Sequence, residues 1–258
     1  MRKSNLVTAA AIAVVAYAAA DLVHEVVGHA LVARLYGIRV LSISTVAAPT
    51  ARASRAVAAA GTLADVVFGA IALALAAQKR RFGATAYSLW LSGVVSMMNI
   101  GYLMYSGLTD SADWAAVIAG ARPYWAWRLS MVAAGFIFYA TVIRAAVRVA
   151  TPWIADGDTS IADLRRVIRV SYVTGGALMM LGSAFNPIGR ELILISGVGA
   201  SFGLTVGLLL VPRDLASDVK APGWVSQVLE LQPAWIIAAI IVGSVFVGFL
   251  GPGIRLAR

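Results

Sequence analysis

The chain has 258 residues, of which 60% are hydrophobic and 13% are charged, and its mean hydropathy is +0.85. Because a soluble domain carries about 25% charged residues, this composition excludes an ordinary soluble protein and predicts an integral membrane protein embedded in the lipid bilayer. The net charge of +9 matches loops that face anionic lipid, so nucleic acid is not expected as a partner.

Several apolar runs reach the ~20 residues that a helix needs to cross a bilayer. We therefore predict an all-α polytopic membrane protein with about seven transmembrane helices and a short β element after the first. The hydrophilic stretch 151–169 is expected to be a loop outside the membrane, in part helical. The predicted spans are residues 6–36, 55–77, 84–105, 125–150, 170–185, 191–211 and 233–250.

The short β element is predicted between the first two spans. Gly37 is a natural helix stop, and residues 38–46 form a β-branched run with partial alternation. Pro49 and the small polar residues after it are expected to form a loop that leads into the second span.

The basic residues of the loops predict the orientation in the membrane. Lysine and arginine in short loops mark the cytoplasmic side. With seven spans, the amino terminus and the basic loops at 79–81, 144–169 and 213–220 fall on one side. We therefore expect the amino terminus to be cytoplasmic, in the cell membrane of a bacterium or archaeon.

One stretch of the first span carries both histidines of the chain. Residues 21–30 read Asp-Leu-Val-His-Glu-Val-Val-Gly-His-Ala, with His24, Glu25 and His29 inside an apolar run. Ionisable side chains at membrane depth are costly, so they are functional candidates by default. Two neutral imidazoles and a carboxylate are ligands that Zn²⁺ prefers, and thiolate ligands are excluded because the chain has no cysteine.

The spacing of the two histidines leaves two arrangements open. The metalloprotease pattern His-Glu-x-x-His places its ligands four apart on one helix face, whereas His24 and His29 are five apart and lie about 140° apart on an ideal helix. A π-bulge, eased by Gly28, would bring both imidazoles to one ion. Alternatively, Glu25 and His29 are the ligands and His24 supports them from behind.

The segment 24–40, which begins His-Glu-Val-Val-Gly-His, resembles the site-2 protease family of intramembrane zinc metalloproteases. The segment 59–65, Ala-Ala-Gly-Thr-Leu-Ala-Asp, is similar to the Ala-Gly-Pro-Leu-Ala-Asn helix entry of that family. The resemblance covers about residues 6–77. It implies a metalloprotease that cleaves membrane-embedded protein or peptide substrates with water activated by Zn²⁺, and it assigns Glu25 as the general base.

The resemblance also implies a third zinc ligand, because the family joins Asn-x-x-Pro to a Leu-Asp-Gly motif whose aspartate binds the metal. Leu-Asp-Gly does not occur in this chain. The nearest match follows Asn99, and it makes Asp113 the first choice for the ligand and Asp110 the second. Glu191, which follows the partial match Asn186-Pro187, is the third choice. Asp113 has a structural alternative as the cap of a short helix.

Two asparagines complete the site that the resemblance implies. Asn99 or Asn186 is expected to hydrogen-bond the substrate backbone or the developing oxyanion. Asp65, which lies inside the second span, is expected to be structural and to pair with Arg55 or a polar neighbour.

Two other functions remain open at the level of sequence. One is a catalytically inactive, site-2 protease-like binding scaffold. The other is a metal-free transport or proton-relay protein that uses His24, Glu25, Asp110 and Glu191. In each case we expect residues 1–258 to form a single integral membrane domain, with a metal-site core at about 6–115 and additional helices at 125–250.

Overall fold

The computed structural model of the protein describes residues 3–187, 198–199, 201–218 and 227–256, and these residues are mostly helical. The predicted predominance of helix with one small β element is therefore confirmed. The α-helices are α1 (Leu6–Leu22), α2 (Val32–Leu35), α3 (Arg55–Ala77), α4 (Ala84–Met98), α5 (Tyr102–Thr109), α6 (Ala112–Ile118), α7 (Tyr124–Ala155), α8 (Ile161–Ala184), α9 (Val211–Asp218) and α10 (Pro233–Val245). Two π-helical segments (Val23–Leu31 and Phe246–Leu250), two 3₁₀ turns (Asn99–Gly101 and Val206–Leu209) and two strands, β1 (Ser42–Ile43) and β2 (Ile254–Arg255), complete the described elements.

Within the described residues, five helical stretches are long and apolar enough to cross a membrane, which is compatible with a multi-pass membrane protein. These stretches are Leu6–Leu35, Arg55–Ala77, Tyr124–Ala155, Ile161–Ala184 and Pro233–Leu250. The number of seven spans stays a prediction. Residues 84–109 are helical but are interrupted by a 3₁₀ turn, and much of the predicted span 191–211 lies outside the described residues.

α8 begins at Ile161, so the expected loop at 151–169 ends earlier than predicted. The Ser160 side chain caps this helix by accepting a hydrogen bond from the backbone N–H of Asp163 at 3.1 Å. The first turns bury apolar side chains such as Leu164, whereas most of their arginines are exposed. The charges of this stretch therefore mark one face of a helix.

α1 lies at the centre of the helix packing and contacts α4, α8 and α10. Its buried positions are mostly alanine, and small side chains let neighbouring helix backbones approach closely. α3 packs along α4 and also against the π-helical segment Val23–Leu31. This packing places the middle of the first span beside the start of the second.

A small β structure follows α2. β1 pairs antiparallel with β2, and an isolated bridge links Val40 to Thr50. The predicted β element at 38–46 therefore forms, although its regular strand is limited to Ser42–Ile43.

Candidate metal centre

Both histidines lie in the π-helical segment Val23–Leu31, which joins α1 to α2 without a break. A π-helix is wound more widely than an α-helix, and its i→i+5 pattern aligns residues that are five apart. His24 and His29 consequently face each other, with their Nε2 atoms 3.1 Å apart. The predicted helix irregularity is confirmed, and it extends over nine residues rather than one bulged turn.

Two glycines allow this segment to pack against α3. A Cβ added to Gly28 would lie 2.5 Å from the Cα of Gly61, so the two backbones are in direct contact. A Cβ added to Gly61 would lie 2.6 Å from the Nε2 atoms of both His24 and His29. Gly61 therefore leaves open the space in front of the two imidazoles.

Asp113 supplies a third polar atom at the same point. Its Oδ2 lies 3.2 Å from Nε2 of His24 and 3.3 Å from Nε2 of His29. Burial raises the pKa of the Asp113 carboxyl, but hydrogen bonds donated by His24 and His29 in their protonated form outweigh burial and hold that pKa well below its usual range. The predicted proximity of Asp113 to the histidines is confirmed. Its carboxylate points to them from the first turn of α6, and Ser111 occupies the N-cap position.

Hydrogen bonds behind the rings determine which imidazole nitrogens carry lone pairs. Nδ1 of His29 lies 2.7 Å from the Val57 carbonyl oxygen, which can only accept, so this Nδ1 is the N–H donor. Nδ1 of His24 lies 2.7 Å from Oδ2 of Asp65, which likewise accepts when ionised. Neutral imidazoles in these tautomers turn their Nε2 lone pairs toward each other and toward Asp113.

The three converging atoms fit a small tetrahedral metal ion. Bonds of about 2.0–2.1 Å place the ligand atoms of such an ion about 3.3–3.4 Å apart, close to the separations of 3.1, 3.2 and 3.3 Å found here. Three electron-rich atoms at these distances repel one another unless a positive charge lies between them. The cluster could therefore hold a metal ion, with a fourth position left over.

Glu25 adds a second carboxylate to this cluster. Its side chain is buried, and Oε2 has no hydrogen-bond partner among the described residues. Ligand atoms of His24, Glu25 and His29 all lie within 4.8 Å of one another. Oδ2 of Asp113 lies 3.2 and 3.3 Å from the two Nε2 atoms, so the cluster offers two carboxylates beside the two imidazoles.

Two cavities adjoin the cluster. The main cavity, of about 470 Å³, is lined by the site residues, the segment 46–50, the start of α3 and parts of α5 and α6. The inner cavity, of about 50 Å³, lies behind Glu25 and is lined in part by Asp21, Thr45 and Asn99. The cluster is thus reached from a space large enough for a substrate segment and is backed by a small polar space.

The other predicted acids are not part of the cluster in the described structure. Asp110 accepts a hydrogen bond from the Tyr124 hydroxyl and forms an ion pair with Arg128 at 3.7 Å. Glu191 lies outside the described residues. Asp65 pairs with His24 rather than with Arg55, whose guanidinium donates to a backbone carbonyl instead.

The two predicted asparagines have separate environments. Asn99 lines the inner cavity, and its Nδ2 donates to Oδ2 of Asp65 at 2.8 Å, so it supports the carboxylate that orients His24. Asn186 donates to the carbonyl oxygen of Gly251 at 3.3 Å and is not among the described residues that line either cavity.

Three site residues were missed or undervalued by sequence reasoning. Asp65 pairs with His24, Gly61 leaves open the space in front of the two imidazoles, and the Tyr102 ring lies 5.5 Å from the His24 ring. The signal for Asp65 was a carboxylate buried inside a span, where ionisable groups are functional by default. Tyr102 gave no comparable signal, because aromatic residues in spans commonly serve packing.

Comparisons with known proteins do not identify a relative of this chain. No family model, no curated protein and no solved structure matches it.

Proposed function

We propose that this protein is an intramembrane zinc metalloendopeptidase of the site-2 protease type. The observation that carries the proposal is the convergence of Nε2 of His24, Nε2 of His29 and Oδ2 of Asp113 within 3.3 Å of one another. Two imidazoles and a carboxylate, with a fourth position left for water, are the ligand pattern of catalytic rather than structural zinc.

The hydrogen bonds behind the two imidazole rings also support a zinc site. Catalytic zinc sites hold each histidine by a carboxylate or carbonyl behind its ring, which fixes ring orientation and makes the nitrogen a better donor. Asp65 does this for His24, and the Val57 carbonyl does it for His29. Asn99 in turn holds Asp65, so the support extends one contact further from the ion.

Glu25 is assigned as the general base. The ion supplies Lewis-acid polarisation of the scissile carbonyl and lowers the pKa of water. Glu25 accepts the proton of the attacking water on its unpartnered Oε2 and later returns it to the leaving amine. Its position in the sequence next to a ligand, and in space within the cluster, gives it the short reach that proton transfer requires.

The surroundings favour a substrate taken from the membrane. His24, Glu25 and His29 lie in the stretch Leu6–Leu35, which is apolar enough to span a bilayer. The main cavity meets the cluster beside the segment 46–50, which follows β1 in the chain. We infer that a membrane protein or peptide, locally unwound to expose its backbone, is cleaved there.

The metal-free relay is less well supported by the arrangement. It requires Asp110 to work with the histidines, but Asp110 is paired with Arg128. An inactive scaffold has the same ligands as an active enzyme, so only an assay of cleavage separates the two.

Metal analysis and proteolysis together test the proposal. The purified protein should carry about one zinc per chain, and His24→Ala or His29→Ala should reduce this to background. Glu25→Gln should keep zinc while abolishing cleavage of a membrane-embedded substrate, because Gln cannot accept the proton. Asp110→Asn is the matched control and should retain both zinc and cleavage.

The outcomes separate the three functions. No zinc in a folded wild-type protein would reject the metalloprotease and leave the relay. Zinc without cleavage of any membrane substrate would support the scaffold, and full cleavage by Glu25→Gln would require another base.

The orientation and the span number are also proposed. We infer seven spans with a cytoplasmic amino terminus in a cell membrane, which places the loop before α7 outside and the loop before α8 inside. In this cysteine-free chain, Ala119→Cys should react with an impermeant thiol reagent in intact cells, and Asp156→Cys only after permeabilisation. Reversed labelling would invert the orientation, and equal labelling would reject the seven-span arrangement.

A further inference from the structure

A further cavity, remote from the candidate metal centre, combines positive charge with apolar side chains. It has a volume of about 260 Å³ and lies between α8 and the start of α9. We call it the arginine cavity; its lining residues are Arg165, Ile168, Arg169, Leu209, Pro212 and Arg213. None of these residues lines the main or the inner cavity.

The positive charge of the arginine cavity is not neutralised by the described residues. Arg165, Arg169 and Arg213 form no ion pair with a carboxylate there, whereas the neighbouring Arg166 pairs with Asp163 at 3.6 Å. Three guanidinium groups that share one cavity repel one another. An anion placed among them would remove this repulsion.

The local structure explains why the charges meet. Arg165 and Arg169 are four apart in α8, so they lie on one face of the helix, one turn above the other. Arg213 comes from the first turn of α9, which packs against α8. Ile168, between the two α8 arginines, is fully buried and anchors this part of the helix in the core.

The arginine cavity lies at one end of a candidate membrane span. Both α8 arginines lie within the first three turns of a helix that is long and apolar enough to cross a membrane. Phospholipid phosphates lie at this level, where the apolar span meets water. Basic pockets between transmembrane helices bind lipid headgroups, and arginine binds phosphate oxygens through paired N–H donors.

We propose that the arginine cavity binds the phosphate headgroup of an anionic membrane phospholipid. Its volume equals that of roughly nine water molecules of about 30 Å³ each, which is room for a phosphate with part of its glycerol. Arg165, Arg169 and Arg213 bind the phosphate oxygens. Leu209 and Pro212 contact the apolar part of the lipid.

Lipid retention by the purified full-length protein tests this proposal. The probes are phosphatidylglycerol, phosphatidylcholine and inorganic phosphate, measured by native mass spectrometry and by the shift in thermal unfolding. Phosphatidylglycerol should bind and stabilise the protein more than phosphatidylcholine does. Arg165→Gln/Arg169→Gln should weaken its binding roughly 30-fold, since each arginine near an anionic lipid contributes about fivefold.

The chain offers a matched control pair. Arg144 and Arg148 have the same four-residue spacing and are exposed on α7. They lie within about three turns of the loop that joins α7 to α8. Arg144→Gln/Arg148→Gln should leave phosphatidylglycerol binding unchanged. If the Arg165→Gln/Arg169→Gln variant fails to fold, the single change Arg213→Gln should still weaken phosphatidylglycerol binding about fivefold.

Each other outcome overturns the proposal. If the α7 and α8 double variants lose phosphatidylglycerol binding equally, the lipid is attracted to the basic surface in general and not to the cavity. If phosphatidylglycerol and phosphatidylcholine bind equally well, the charge of the headgroup has no role. If inorganic phosphate protects the protein as well as phosphatidylglycerol does, the cavity is a site for free phosphate.

Discussion

The two sides of the candidate metal centre are built in different ways. On the histidine side, a continuous π-helical stretch contacts α3 through backbone atoms, and the His24 and His29 side chains are only 8% and 9% exposed. On the other side, Asp113 is 29% exposed and comes from a helix of seven residues. The histidine pair is therefore fixed by the packing of spans, whereas a short surface helix delivers the third donor.

The Asp113 side relies on a clamp from α7. Arg128 donates from Nε to the Gly107 carbonyl at 2.9 Å and from Nη2 to the Leu108 carbonyl at 2.8 Å. These hydrogen bonds satisfy two carbonyl groups at the end of α5, where a helix leaves its last carbonyls without partners. Two non-glycine residues between the end of α5 and the start of α6 have positive φ, Asp110 at 56° and Ala112, the first residue of α6, at 64°. Such conformations cost free energy and persist only where surrounding contacts hold them.

The largest effect is expected from the histidine side, at Gly61. Gly61→Ala would place a Cβ 2.6 Å from both Nε2 atoms, so the two imidazoles could not keep their present positions. We expect bound zinc to fall from about one per chain to near zero, measured by elemental analysis of the purified protein. Gly248→Ala is the control, because nothing lies within 4 Å of its added Cβ; full zinc in Gly61→Ala would show that this side is not rigid.

A smaller loss is expected at Asp65, which orients His24. Asp65→Ala removes the partner of the His24 Nδ1–H, and losses of this kind lower metal affinity by about 10- to 100-fold. Competition with a zinc chelator measures this affinity. Asp158→Ala is the matched control: Asp158 is also buried and accepts from the Phe82 backbone N–H at 2.9 Å, so it should alter stability without altering zinc affinity.

The smallest effect is expected at Arg128, on the Asp113 side. Arg128→Gln frees the end of α5 but leaves Asp113 itself in place, so zinc affinity should fall by less than the roughly tenfold minimum expected for Asp65→Ala. The same chelator titration applies, with Arg144→Gln, an exposed arginine further along α7, as control. If Arg128→Gln weakens zinc binding more than Asp65→Ala does, the surface helix, not the histidine side, determines the affinity of the site.

Sequence reasoning found the donors because their chemistry is local. Two histidines and a glutamate within six residues of an apolar span are rare enough to stand out, and the five-residue spacing predicts a π-helical irregularity once both rings must face one ion. The choice of Asp113 over Asp110 came from a family pattern. The structure distinguishes the two carboxylates, because Asp110 forms an ion pair with Arg128.

The supporting contacts were beyond sequence because they join distant segments. Asp65 and His24 are 41 residues apart, and only the packing of α3 against the π-helical segment brings them together. The start of α8 was missed for a different reason. A run of arginines lowers the local hydropathy, although the helix continues through it with one buried face.

The pairing of β1 with β2 has a consequence for biosynthesis. Ser42–Ile43 leaves the ribosome more than two hundred residues before Ile254–Arg255 does. Until then this strand lacks its β2 partner, and it lies close in sequence to the segment 46–50, which lines the main cavity of the folded protein. A growing chain therefore contains His24, His29 and Asp113 long before β1 can pair with β2.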